Sequence, residues 1–396
     1  MASDPTIHGT TDGAFQHLRD IFRHNLTSRG ELGAAVSVYH RGRKVVDLWG
    51  GSRNRRTAEP WQQDTLVPVY STGKGLAAIA CAVAVSRGHL ALDAPIADIW
   101  PGFARHGKDT ITLRCVLDHK AGLVLFGRTV TRQDLADPGG MAAILEEMVP
   151  LWRPGSRWGY HIGSFGSLLA ELIRRTDPGG RSFGQFFADE VARPLGVDVH
   201  FGLSDDLPQD RLARISRPSA AGLRSGLLHA PFALQCQVYN PVSLLHRAIR
   251  EMPDLNVNDR DWMRHDFPSA NCAATARGIA AIYGSLATGG EALGIAPALL
   301  EQMSSPPAKP PGGPADRLFG IDLLWNLGFM RPGASFRFSP TAGAFGMAGL
   351  GGSFGFCDPE HGIGYAYVPN RLGVLPFADH REQALRKAVY DALATA

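Results

Sequence analysis

The sequence predicts an α+β fold in which both ends of the chain build one antiparallel sheet. β-rich runs lie near the amino terminus and again after residue 318, and the stretch between them has mainly helical periodicity. We therefore expect a sheet flanked by helices, formed by residues 1–66 and 300–396. An inserted, mainly helical lobe is expected to comprise residues 67–299. The chain contains no visible internal repeat.

The individual elements follow from local patterns. Apolar residues at three- and four-residue steps predict an amphipathic helix over 13–29, and two β-rich runs around Arg41-Gly42-Arg43 predict a hairpin over 32–51. Further helices are predicted over 71–87, 111–118 (capped by Thr112), 138–149, 164–176, 181–193, 270–288 and 378–394. Strands are predicted over 318–330, 352–358 and 362–369, loops over 89–101 and 305–314, and irregular structure over 203–260.

Composition narrows the classes of function and location. The 40 basic and 37 acidic residues leave a net charge of +3, too weak a field, when spread along the chain, to indicate nucleic acid or a membrane as partner. Five cysteines without a CxxC pair indicate free thiols in a reducing compartment. No secretory signal is visible, and the apolar run 75–85 is shorter than the roughly 20 residues that span a bilayer. We expect a cytoplasmic protein.

The strongest chemical motif is Ser71-Thr72-Gly73-Lys74 at the start of an apolar helix. If Ser71 opens that helix, its hydroxyl lies where the helix dipole favours negative charge. Lys74 then lies one turn further along the same face, so its amine can reach the hydroxyl. Burial against apolar neighbours lowers the pKa of a lysine, which makes it a usable base. By itself, S-x-x-K also fits a capped helix with a surface lysine.

The surrounding sequence resembles the serine β-lactamase and penicillin-binding-protein superfamily, specifically the class C β-lactamase-like esterases, or family VIII carboxylesterases. The resemblance covers most of residues 30–372 in the same order, and it implies a β-lactamase/transpeptidase-like fold. The blocks that carry it are VYSTGKGLAA (69–78), DAPIADIWPGFARHGKDTITLRCVLDHKAGL (93–123), PGSRWGYHIGSFGSLLAELIRR (154–175), FGQFFADEVARPLGVD (183–198), PSANCAATARGIAAIYGSLATGGE (268–291) and FGMAGLGGSFGFCDPEHGIGYAYVPNRL (345–372).

The resemblance implies a role for each matching residue. Ser71 matches the acylated nucleophile, Lys74 its activator, and Tyr160 the tyrosine that shuttles a proton; a phenol beside a lysine can have a depressed pKa. The backbone N–H groups of Ser71 and Leu350 match the oxyanion hole. The substrate-binding positions are expected to be Met347, Gly349, Gly351 and His161, with glycines (Gly352 included) that let the strand approach the acyl group. No cofactor and no metal are implied.

Two departures from the family pattern bear on the substrate. Ile162 stands where β-lactamases have an asparagine, and Met347 stands where they have lysine or histidine. A thioether offers neither charge nor hydrogen-bond donor, so we expect neutral esters to be accepted and penicillins and cephalosporins to be poor substrates. An arginine from 203–260 could instead replace the missing charge.

Several residues fit alternative interpretations. Ser353 lies in a G-x-S-x-G pattern, but β-rich residues follow it instead of the helix that a nucleophile elbow requires. His119 and His161 lie beside the motifs and are expected to be structural or to line the pocket. The leading function is therefore a cofactor-free serine carboxylesterase acting on a small-molecule ester through an acyl-serine intermediate. The alternatives are an acyltransferase that passes the acyl group to an alcohol or amine, and a non-catalytic binding protein.

Overall fold

Both ends of the chain pair in one eight-stranded antiparallel sheet in this computed structural model, which describes residues 5–253, 255–375 and 377–395. The strand order is β1-β3-β2-β11-β10-β9-β8-β7, and a smaller sheet has the order β4-β6-β5. The strands are β1 (Ile7–Thr11), β2 (Gly33–His40), β3 (Arg43–Gly51), β4 (Val67–Pro68), β5 (Val199–Phe201), β6 (Cys272–Ala274), β7 (Leu324–Asn326), β8 (Phe329–Arg331), β9 (Phe345–Ala348), β10 (Phe354–Asp358) and β11 (Ile363–Pro369).

Fifteen α-helices lie within the described residues, several of them only one turn long. A π-helical turn, Ala188–Ala192, joins α7 to α8. The helices are α1 (His17–Ser28), α2 (Thr72–Ser86), α3 (Leu113–Leu117), α4 (Arg132–Ala136), α5 (Pro138–Glu147), α6 (Ser164–Thr176), α7 (Phe183–Phe187), α8 (Arg193–Leu195), α9 (Ala220–Leu227), α10 (Phe232–Tyr239), α11 (Leu244–Glu251), α12 (Arg260–Met263), α13 (Ala276–Ala287), α14 (Pro297–Ser304) and α15 (His380–Thr395). None of the helices described is both long and apolar enough to cross a membrane.

The joint sheet follows from the pairing of β2 with β11, in which Val36 lies opposite Tyr367. Helices cover both faces of this sheet. On one face, α13 packs so closely that a Cβ on Gly364 would lie 2.1 Å from the Gly284 nitrogen. On the other face, Phe356 stacks on Tyr390 of α15, with ring centroids 6.4 Å apart. The predicted α+β class and the shared antiparallel sheet are confirmed.

Several predicted elements differ from the structure. The predicted strand 318–330 is a hairpin, β7 and β8, because Leu327 and Gly328 have left-handed backbone conformations that reverse the chain. The beginning of the predicted helix 270–288 is strand β6. The predicted irregular stretch 203–260 contains α9, α10 and α11. The lobe is therefore mainly helical but includes the small sheet, and its boundaries as a domain stay a prediction.

Candidate active site

Ser71 lies at a sharp turn between β4 and α2. Tyr70 has a left-handed backbone conformation with a φ of 48°, and Ser71 is the residue that precedes the first turn of α2. The Ser71 hydroxyl does not cap the helix, so it is free to meet other groups. Because the first N–H groups of a helix are unpaired, this terminus favours negative charge that develops on the Ser71 oxygen.

Lys74 is placed to activate Ser71. Its Nζ lies 3.2 Å from Ser71 Oγ, and it donates a 2.7 Å hydrogen bond to the carbonyl oxygen of Ser269. The Lys74 side chain is 0% exposed, and every residue of α2 from Thr72 to Ala84 is buried with it. Burial lowers the pKa of Lys74 to about 7, and no carboxylate of the described residues lies beside the amine to oppose this. Much of the amine is therefore neutral near pH 7.

Ser269 is a positioning residue that the sequence analysis did not single out. Its hydroxyl accepts a 2.8 Å hydrogen bond from the Gly166 nitrogen and donates to the Gly163 carbonyl, while its own carbonyl holds Lys74. It thus joins the beginning of α6 to the amine. Ser269 and Lys74 are 195 residues apart in the chain, so no local sequence pattern reveals this contact.

Tyr160 completes the constellation beside Ser71 and Lys74. The Ser71 hydroxyl lies close enough to the Tyr160 phenol to lower the pKa of that phenol in part, and Lys74 Nζ lies 4.9 Å from the Tyr160 ring centroid. The ring stacks on Trp325, with centroids 5.2 Å apart and planes at 18°. Asp316 holds this pair: its Oδ2 accepts hydrogen bonds of 2.9 Å from the Tyr160 nitrogen and 3.0 Å from Trp325 Nε1.

The protonation state of Tyr160 corrects one expectation. The sequence analysis expected a depressed pKa for this phenol, but burial raises the pKa of Tyr160 above its ordinary value. The phenol is then a neutral donor at physiological pH, and Lys74, whose pKa is lowered, is the group able to accept a proton. The physical reason is that burial disfavours both charged forms, the phenolate and the ammonium.

Tyr160→Phe is expected to keep the fold and to lower kcat on alkyl esters by about 100- to 10,000-fold, because the leaving alkoxide loses its acid. An aryl ester such as p-nitrophenyl butyrate should lose much less, since p-nitrophenolate departs without a proton. Steady-state kinetics on matched alkyl and aryl butyrates measure the difference. Equal losses on both esters would contradict the role of Tyr160 as an acid.

The loop after β9 lies directly against the Ser71 turn. A Cβ on Gly349 would lie 2.3 Å from the Val69 carbonyl oxygen and 2.7 Å from Thr72 Oγ1, so only glycine fits there. The next residue, Leu350, has a side chain that is 47% exposed. Among the described residues, the backbone N–H groups of Ser71 and Leu350 have no hydrogen-bond acceptor. Both groups are therefore available to bind an oxyanion.

Ser353 fastens this loop and is not exposed as a nucleophile would be. Its hydroxyl donates a 2.8 Å hydrogen bond to the Val69 carbonyl and lies 2.9 Å from Thr72 Oγ1. Strand β10 begins at the next residue, so the strand–turn–helix geometry of a nucleophile elbow is absent at this position.

Ser353→Ala is expected to leave activity within about tenfold of wild type, because the Val69 carbonyl keeps its hydrogen bond from the Thr72 nitrogen. The loss of one buried hydrogen bond costs about 1 kcal/mol, or a fall in melting temperature of about 1–3 °C. Thermal unfolding and p-nitrophenyl butyrate kinetics test both values. Complete loss of activity with normal folding would identify Ser353 as catalytic.

The expected substrate-binding positions are mostly covered by protein. Met347 is 1% exposed and packs against α2, where a Cβ on Gly75 would lie 2.8 Å from Met347 Cβ. Gly351 has a φ of 81° and packs on Leu372, where its own Cβ would lie 2.6 Å from Leu372 Cβ. The close approaches of Gly349 and Gly351 are thus to neighbouring protein, and the expected approach of this strand to the acyl group stays a prediction.

His161 is equally buried, with 0% of its surface exposed, and offers no side-chain surface to a substrate. Its backbone nitrogen donates a 3.2 Å hydrogen bond to Nδ1 of His119, whose ring packs 4.8 Å from that of Tyr160. Burial, together with the charge of Lys74, lowers the pKa of His161 to about 3. Both histidines are buried beside the site, and His161 is neutral there.

One arginine of the stretch 203–260 does reach the Ser71 turn. Burial raises the pKa of the Tyr70 phenol, and the neighbouring Arg217 guanidinium opposes that rise. Arg217 is exposed and donates a 3.2 Å hydrogen bond to the Leu255 carbonyl. A positive charge therefore lies beside Tyr70, the residue that precedes Ser71, whereas Lys74 follows Ser71 in the chain.

Comparison with known proteins finds similar proteins over nearly the whole chain. The family model described as Beta-lactamase matches residues 18–390. The chain is 32% identical over 384 residues to "Esterase/beta-lactamase LipL" of Mycobacterium tuberculosis (strain ATCC 25618 / H37Rv), covering 94% of this chain and 85% of LipL. Among solved structures, a penicillin-binding protein homolog from Caulobacter crescentus has a TM-score of 0.84 at 35% identity, covering 98% of this chain and 100% of that one. A family VIII carboxylesterase has a TM-score of 0.83 at 32% identity with the same coverage.

Proposed function

The chain belongs to the Beta-lactamase family, and from this premise we propose that it is a serine carboxylesterase that acts through an acyl-Ser71 intermediate. The observation that carries the proposal is the 3.2 Å distance between Lys74 Nζ and Ser71 Oγ, with an amine whose pKa is lowered to about 7. The names of the relatives, an esterase/beta-lactamase and a family VIII carboxylesterase, support an ester as the substrate.

The reaction follows from the positions of these groups. Neutral Lys74 accepts the Ser71 proton, and the Ser71 oxygen attacks the ester carbonyl. The N–H groups of Ser71 and Leu350 stabilise the negative oxygen of the tetrahedral intermediate. As the ester C–O bond breaks, the leaving alcohol takes the Tyr160 proton, and Tyr160 is reprotonated by the Lys74 ammonium. Water then attacks the acyl-serine in the reverse sequence and releases the acid.

Apolar side chains beside the site support a neutral substrate. Ile162 is half-buried after Tyr160, and Leu350 is partly exposed next to the oxyanion donors. Neither side chain can hydrogen-bond a carboxylate or a lactam substituent. Met347 stands at the position that holds a basic residue in the β-lactamases. Its thioether is uncharged and its side chain is buried, so this position supplies no charge to a substrate.

We expect wild-type enzyme to hydrolyse p-nitrophenyl butyrate at least about 100-fold faster, in kcat/KM, than nitrocefin, whose carboxylate would be desolvated without a partner. Parallel assays of the two substrates measure this ratio. If nitrocefin is hydrolysed as fast, the neutral-ester proposal is wrong. A selective loss of nitrocefin turnover in Arg217→Gln would then assign the carboxylate contact to Arg217. Added alcohols or amines, with product analysis, show whether acyl transfer competes with hydrolysis.

A further inference from the structure

One short segment carries most of the exposed apolar side chains. Of the ten large apolar side chains that are exposed among the described residues, six lie between residues 223 and 249. They are Leu223, Leu228, Phe232 (80% exposed), Tyr239, Val242 (76% exposed) and Ile249. We call residues 217–251, which include α9, α10 and α11, the cap. Apolar clusters of this kind on a protein surface mark sites of interaction.

Helix α10 of the cap has one exposed apolar face. Phe232, Cys236 and Tyr239 follow one another at steps of four and three residues, which places them on the same side of the helix, and all three are exposed. Leu234, on the opposite side, is buried in the core. Leu228 and Val242 are exposed in the segments that precede and follow α10. The cap thus has an anchored side and an uncovered apolar side.

The cap also concentrates positive charge. It contains four arginines and a single acidic residue, Glu251, so its net charge of +3 equals that of the whole chain. All four arginines are exposed, and Arg224, Arg247 and Arg250 have no carboxylate within ion-pair distance among the described residues. The Glu251 carboxylate accepts a 3.1 Å hydrogen bond from the Gly127 nitrogen. The sequence analysis treated the charge as evenly spread, whereas the net positive charge is concentrated in the same segment that carries the exposed apolar side chains.

The cap is continuous with the active site. At its beginning, Arg217 lies beside Tyr70, the residue before the nucleophile. In its middle, a Cβ on Gly320 would lie 3.3 Å from the Ala233 carbonyl, next to Phe319, whose ring packs 5.4 Å from that of Tyr160. A surface that bound the cap would therefore lie next to the segments that hold Ser71 and Tyr160.

We propose that the cap docks on an anionic lipid surface and that Ser71 takes ester substrates from that surface. The exposed face of α10 enters the boundary between headgroups and acyl chains, and the arginines contact the anionic headgroups. The docking proposal depends only on the residues of the cap, whereas the delivery of substrate to Ser71 rests on the proposed esterase function. A second copy of the chain fits less well, because a two-fold contact of this face would bring two caps, each of net charge +3, against one another.

The test measures binding of the full-length protein to vesicles by co-sedimentation. We expect binding to vesicles of equal parts phosphatidylglycerol and phosphatidylcholine, and at least about tenfold weaker binding to phosphatidylcholine alone. The double variant Phe232→Ser/Val242→Ser and the triple variant Arg224→Gln/Arg247→Gln/Arg250→Gln should each lose about tenfold or more in affinity. The matched control Ile99→Ser changes an exposed apolar residue outside the cap and should bind as wild type does. All of these side chains are exposed, so the fold and the hydrolysis of soluble p-nitrophenyl acetate should persist.

Cys236 offers an independent readout from within the apolar face. It is exposed, whereas Cys81, Cys272 and Cys357 are buried and Cys115 is half-buried with a pKa raised to about 11 by burial. An environment-sensitive fluorophore attached to Cys236 should shift its emission to the blue when phosphatidylglycerol vesicles are added. An unchanged emission in the presence of bound vesicles would place another face of the protein on the lipid and would overturn the proposal.

Two further outcomes would also overturn it. One is binding that is absent, or equal in wild type and both cap variants. The other is a concentration-dependent dimer, measured by sedimentation velocity, that the Phe232→Ser substitution converts to a monomer. That result would assign the exposed face of α10 to contact with a second copy of the chain. A failure of the proposed esterase function can be distinguished from a failure of vesicle docking, because Ser71→Ala should bind vesicles as wild type does. A protein that binds vesicles but hydrolyses no ester would refute the enzyme and support the docking surface.

Discussion

Replacing Ser71 with alanine is expected to abolish ester hydrolysis, leaving less than about one ten-thousandth of the wild-type kcat. The substitution removes the oxygen that we propose forms the acyl-enzyme, and Ser71 has the one hydroxyl among the described residues that hydrogen-bonds to the Lys74 amine. A fluorophosphonate probe followed by peptide mapping should label wild-type protein on Ser71 and leave the variant unlabelled.

The matched control is Ser353→Ala, which removes a second serine hydroxyl near the same turn. This variant should keep both the probe label and most of the activity. Label on a Ser71→Ala protein that still hydrolyses esters would refute the assignment of the nucleophile. Absence of label on correctly folded wild type would favour the non-catalytic binding protein.

Lys74→Ala is expected to lower kcat/KM by about 1,000- to 10,000-fold, because the Ser71 hydroxyl is then a weak nucleophile without its base. The pH profile carries a more specific signature. Only the neutral amine accepts a proton, and the pKa of Lys74 is about 7, so wild-type kcat/KM should rise with pH through about 7 and level off above it. The residual activity of Lys74→Ala should lack that inflection.

Lys309→Ala is the control, since Lys309 is an exposed lysine outside the site. It should leave both the rate and the pH profile unchanged. A rise of activity through pH 7 that survives in Lys74→Ala would show that another group is the base.

The proximity of Ser71 and Lys74 was predictable because both residues belong to one local motif. Ser71 and Lys74 are three residues apart at the beginning of an apolar helix, so helical geometry alone brings their side chains together. Tyr160 and Leu350 could be identified only through resemblance to a family, because several helices and, for Leu350, several strands separate them from Ser71 in the chain. The sheet was predictable because β2, β3, β10 and β11 have strong alternation or long β-branched and aromatic runs.

Other features depend on contacts that no local pattern records. Strand β6 has the sequence Cys-Ala-Ala, which favours helix, and only its pairing with β4 and β5 makes it a strand. Helix α10 of the cap is eight residues long and keeps apolar side chains exposed, so it lacks the polar face that marks an amphipathic helix. Asp316 and Ser269 act through backbone groups far away in sequence, which residue types alone do not reveal.

The pairing of β2 with β11 has a consequence for how the chain is made. The two strands are about 320 residues apart, so at about 5–20 residues per second the ribosome needs roughly 15–60 seconds to supply the partner of β2. During that interval the hairpin of β2 and β3 presents an unpaired edge, which is a template for aggregation. The Leu350 amide also emerges late, long after Ser71 and Lys74. A nascent chain therefore contains the proposed nucleophile and base well before the proposed oxyanion donor, and the β2 edge stays unpaired until β11 arrives.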